Sequence, residues 1–261
     1  MLANFFVAYR RSFILAPRSA FAALFLGVVT CSGIEAAEDV KAPTPREVLE
    51  RAQRQGADKR WEECFVTLKT GLSRGAVVPG YVSLYSRCAA LAGKREEGLQ
   101  LLNLAAATAP SRGVKGIRSA VRNLSCAFLT AETSQTFEEG LGLLESGVFA
   151  EADSRLSPLI LAEPGNVEVM LRAGQARVLS GKAEEGRELL AKARVLNPYE
   201  SELVLWHGRA LFLRGKHQQA LDELRRARQM SGESELASTW LSEALVALGA
   251  RNQRLGFFNI G

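Results

Sequence analysis

The chain has 261 residues, 47% hydrophobic, 23% charged and only 7% aromatic, with eight prolines. That is enough apolar material for a sizeable core and too little proline for a Pro-rich disordered chain, and the Ala- and Leu-heavy apolar set suits packed helices better than a sheet. The formal charge of +5 does not argue for nucleic-acid binding: three of the 33 basic residues, Arg10, Arg11 and Arg18, lie in a leader, and the remaining 30 face 28 acidic ones.

The first acidic residue is Glu35. Before it, a basic stretch ending at Arg18 is followed by the uncharged core Ala20–Thr30 and then by small residues, the pattern of a secretory signal. The core is short for a membrane span, which needs about 20 residues. An uncleaved N-terminal anchor that attaches the chain to a membrane is the alternative. Cleavage pairs are Cys31/Gly33 and Thr30/Ser32; Cys31 also ends a degenerate lipobox, and Arg10-Arg11 opens a weak twin-arginine match. The acid-free, Arg-bearing segment leaves a mitochondrial presequence as the rival. The leader is assigned to 1–34, and 35–44 with its prolines to a linker.

A fixed interval then dominates. Gly147, Gly181, Gly215 and Gly249 are 34 residues apart, as are Gly140, Gly174 and Gly208; Pro164 and Pro198 share the interval. An earlier block repeats the internal spacing around Gly93, with Ser86 before it and Gly98, Leu102 and Pro110 after it. The two blocks are out of phase, because Gly93 to Gly147 is one interval plus 20 residues. Small residue, glycine turn, leucine and closing proline every 34 residues resemble the tetratricopeptide repeat. The resemblance implies an all-α right-handed superhelical solenoid of antiparallel helix pairs. Glycine makes each turn, and proline stops each second helix.

On that frame 45–112 holds two repeats, the first degenerate; 113–132 is an extra helix or degenerate unit; 133–254 holds three repeats and a partial fourth; and 255–261 is a tail. Helices of Val167–Ser180 and Ala183–Leu196 are expected in the clearest unit, with a turn at each of the spaced glycines, Gly249 included. Pro158 is expected to interrupt one second helix. The family's Trp near the start and its Tyr in the first helix are missing, and Arg177 holds one Tyr place.

A stacked array of this kind presents a concave face lined by first helices. Helical spacing puts Arg87, Arg172, Gln175, Trp206, Arg209 and Trp240 there. Trp206 and Trp240 are one interval apart, and with the arginines they would form an aromatic and guanidinium wall suited to a protein partner. The plainer alternative packs both indoles between neighbouring helices. His207 and His217 have no companions at metal-ligand spacing, so no metal or cofactor is expected. Cys64 and Cys88 fall on adjoining helices and could form a disulfide; small buried thiols are the other reading.

The expected function is a non-enzymatic scaffold or assembly factor, exported to a periplasmic or membrane-associated location, that binds protein and not nucleic acid. A membrane-anchored or mitochondrial adaptor and a glycan-binding or enzymatic groove are the alternatives.

Overall fold

The computed structural model describes residues 42–73, 80–232 and 234–258. The leader, most of the linker and the final three residues lie outside them. The described chain contains twelve helices: α1 (Pro45–Ala57), α2 (Trp61–Ser73), α3 (Tyr81–Leu91), α4 (Arg95–Thr108), α5 (Ser111–Cys126), α6 (Ala131–Glu145), α7 (Phe149–Ala162), α8 (Val167–Leu179), α9 (Ala183–Leu196), α10 (Ser201–Leu213), α11 (His217–Ser231) and α12 (Glu235–Phe258). No strand occurs among the described residues.

Local chemistry sets the helix ends. Thr44 accepts from the Glu47 amide while the Glu47 carboxylate accepts from the Thr44 amide, and Pro45 begins α1 with φ already helical. Asn166 caps α8 by accepting from the Glu168 and Val169 amides. Gly93, Gly147, Gly181 and Gly215 each sit at positive φ, between +68° and +89°, where the chain reverses between paired helices.

The helices pack in pairs, α1 with α2, α3 with α4, α6 with α7, α8 with α9 and α10 with α11, and each second helix leans on the helix that follows it in the chain. Leu68, Leu102, Leu156, Leu190 and Leu224 recur at the same place in the second helices, and all are fully buried. Their partners on the first helices are small because there is no room for more. A Cβ on Gly174 would stand 2.7 Å from Leu190, and one on Gly186 would stand 2.8 Å from the Gly174 carbonyl oxygen.

Two sequence expectations need correction. Gly249 makes no turn: α12 runs through it, since nothing lies within 4 Å of its Cβ direction to force a reversal, and a glycine inside a helix costs only about 1 kcal/mol. Pro158 does not interrupt α7, which continues to Ala162. Pro158 and Ser154, whose carbonyl loses its usual donor, are both exposed, so water can replace that donor. The extra segment is the full helix α5, and its Ala120 lies one interval beyond Ser86 and two beyond Ala52. It packs on α3 and α4 as a first helix without a second.

The second block stands on the first through its own turns. Arg95 of α4 pairs with Glu163 at the end of α7 at 3.0 Å, and its guanidinium also donates to the Pro164 carbonyl. Glu163 in turn accepts from the Leu129 amide at 2.8 Å and the Thr133 hydroxyl at 2.5 Å. One interval later, Asn103 of α4 donates to the Leu196 carbonyl, and Asn197 donates to the Ser125 hydroxyl.

Candidate partner-binding surface

The first helices α8, α10 and α12 carry the expected residues side by side. Arg172 of α8 donates to Glu168 at 2.8 Å, to Gln175 at 3.1 Å and to both carboxylate oxygens of Glu202 on α10, at 2.6 and 3.2 Å. Burial alone would lower the Arg172 pKa, but the hydrogen bond and charge of Glu202, with Glu168, raise it above its ordinary value. One step along, Arg209 of α10 pairs with Glu243 of α12. The result is a ladder of half-buried ion pairs tying successive first helices together.

The tryptophans do not form an open wall. Trp206 and Trp240 are only 5% and 8% exposed. Their rings meet edge to face with centroids 4.9 Å apart, between α10 and α12. The reason is the short reach between neighbouring first helices, which one indole pair fills. Arg209 lies over Trp240 at 5.0 Å and over Phe212 at 5.2 Å, so the cation covers the outer side of the aromatic pair. Arg87 lies in the other block, on α3, exposed and 5.6 Å over the Trp61 ring.

Arg177, at the place of the family's tyrosine, is explained by Asp153. That buried carboxylate accepts from Arg177 at 3.0 Å, from Lys182 at 2.8 Å and from Ser157 at 2.8 Å. Burial would raise the Asp153 pKa, and these donors together hold it below its ordinary value. Burial lowers the His207 pKa below its ordinary value, outweighing the nearby Glu223. His217 packs its ring against Phe212, centroids 5.2 Å apart. Among the described residues no group of three His, Cys, Asp or Glu has a geometry that could hold a metal ion.

Cys64 of α2 and Cys88 of α3 are joined as a disulfide, with Cα atoms 6.0 Å apart and both side chains fully buried. The bridge ties the first pair to the second. Cys126 remains a free thiol whose pKa burial pushes up.

One feature of the first block was not anticipated. Lys59 holds the turn place that is Gly93 one interval later, and it keeps the left-handed backbone, φ +59°. Its side chain lines a cleft of about 420 Å³ with Gln53, Gly56, Ala57, Trp61, Leu84 and Arg87. Counting back 34 residues from Gly93 was the signal that would have found it.

No family model matches the chain, and no curated protein matches it. Among solved structures, the Sgt2 TPR domain from Aspergillus fumigatus is 19% identical over 48% of this chain and 83% of that one, with TM-score 0.44. The P58(IPK) TPR domain is 13% identical over 79% and 56%, with TM-score 0.46. A tetratricopeptide repeat protein from Parabacteroides merdae is 12% identical over 81% and 76%, with TM-score 0.41. These are loose superpositions of remote sequences, so the architecture stands on the chain's own geometry. With paired helices turning at glycines 34 residues apart in the second block, and with leucine stacked on glycine at Gly140, Gly174 and Gly208, the chain has the tetratricopeptide-type solenoid fold.

Proposed function

We propose that this chain is a non-enzymatic scaffold that holds a partner protein against the first-helix face of α8, α10 and α12, outside the cytoplasm. The observation that carries the reading is the ion-pair ladder Arg172–Glu202 and Arg209–Glu243. Its guanidiniums are held in place by neighbours and 21% and 22% exposed, while Glu202 and Glu243 are more open at 36% and 43%, so a partner carboxylate can replace either acid from the solvent side. The cations and carboxylates there neutralise one another, which suits recognition rather than proton transfer.

Export is supported by two independent features. The leader has the basic and apolar order of a signal, and the Cys64–Cys88 disulfide belongs to an oxidising compartment. Cleavage would give a soluble exported scaffold, and retention would give a membrane-attached one.

Affinity capture from the native host, followed by identification of the bound proteins, tests the scaffold role. Charge reversal at Arg172 and Arg209 should strip specific partners while leaving helicity intact. A partner set that is identical for the reversed variant would refute the assigned face. N-terminal sequencing of the mature protein tests the leader: an intact residue 1 on a soluble intracellular protein would refute export.

A further inference from the structure

We propose that the cleft between the α1–α2 turn and α3 receives an acidic side chain from an extended segment of a partner protein. This rests on the scaffold reading and supplies the chemistry of one occupant.

The first ground is a strained backbone. At the corresponding turns Gly93, Gly147, Gly181 and Gly215 occupy the left-handed region, where a side chain is disfavoured. Lys59 occupies it too, with a long cationic side chain. Backbone strain of this kind is held by the surrounding structure and clusters at binding and active sites.

The second ground is charge. Lys59 and Arg87 line the same cleft, and neither makes an ion pair with a described carboxylate. The acids close by in sequence are already engaged: Asp58 and Glu63 pair with Arg60, and Glu62 pairs with Lys94. Arg87 lies over the Trp61 ring, and a guanidinium stacked on an indole keeps its in-plane N–H donors available to a carboxylate.

The third ground is shape. The rest of the lining includes Trp61, Leu84, Gly56 and Ala57, and the volume of about 420 Å³ suits one or two side chains. A recess of that size fits an extended acidic and apolar peptide better than a lipid surface, which needs a protruding or flat basic face.

The test uses the whole chain and the dye-labelled peptide acetyl-ELELE-amide, with its neutral counterpart acetyl-QLQLQ-amide, in fluorescence anisotropy. The acidic peptide should bind more tightly than the neutral one and weaken with salt. Lys59→Gly should bind it about tenfold more weakly. The same variant relieves the strained backbone, so its melting temperature should hold or rise, and lost binding cannot then be ascribed to unfolding. Arg87→Gln provides an independent second loss. Equal binding by wild type and Lys59→Gly, no preference for the acidic peptide, or no binding would overturn the proposal. So would tighter, Lys59-dependent binding to phosphatidylglycerol vesicles. If the peptide fails while the captured partners still bind, this inference fails and the scaffold reading stands.

Discussion

Arg95 and Glu163 are 68 residues apart in sequence and form an ion pair whose side chains are 3% and 0% exposed. They join α4 of the first block to the α7–α8 turn of the second. Gly165 makes the approach close: a Cβ there would stand 2.7 Å from Glu96. An isolated buried charge is costly, and each of these two is the other's principal compensation.

Replacing Glu163 with Ala should therefore cost about 3–5 kcal/mol, because it strands the charge of the Arg95 guanidinium along with the Leu129 amide. Urea unfolding measures this. The double change Arg95→Met with Glu163→Leu should recover most of the loss. A cost for Glu163→Ala under about 1 kcal/mol, the range of an exposed pair, would contradict the docked arrangement.

Two glycines at the same place in the repeat should respond in opposite directions. Gly181 has φ +89°, so Gly181→Ala should lose about 1–2 kcal/mol. Gly249 lies inside α12 with open space around it, so Gly249→Ala should gain about 0.5–1 kcal/mol. Thermal melts of both variants decide it, and a destabilising Gly249→Ala would show that the chain turns there.

The Cys64–Cys88 bridge spans 24 residues of sequence. Closing such a loop stabilises by about 3 kcal/mol in the chain-entropy account, so a reducing agent or the Cys64→Ala/Cys88→Ala pair should lower the melting point correspondingly. Identical melts in oxidising and reducing buffer, with thiol titration confirming reduction, would dismiss that contribution.

Asp153 predicts an acid sensitivity with a definite sign. Its folded pKa lies below the ordinary 3.8, so its contribution is complete above that value and is lost as pH falls through the folded pKa. Urea unfolding of wild type and Asp153→Asn at pH 7 should differ, and the gap should narrow by pH 3. A gap that stays constant over that range would rule out the paired, ionised carboxylate.

The helix pairs were legible because the residues that define them act locally. A glycine turn, a leucine nine residues on and a closing proline state their geometry within one unit, and repetition separates them from chance. Gly249 misled because the same residue that permits a reversal also tolerates a straight helix, and only a packed neighbour decides between them. Trp206 and Trp240 were placed on the right helices, but whether an indole is covered depends on the distance to the next helix, which spacing does not encode. Arg95 and Glu163 carry no local signature, since their meeting follows from how whole blocks dock. Lys59 departs from a pattern that its own repeat follows only weakly, so the departure blended into that weakness.

A periodic array laid on another surface faces a slippage problem, because every turn resembles the next. The residue one interval after Glu163 is Asn197, which meets Ser125 of α5. Sliding the second block by one unit would bring Asn197 to Arg95, and a neutral amide cannot balance a buried guanidinium. The single carboxylate at 163 thus works as a vernier mark, choosing one alignment from a set of near-identical ones.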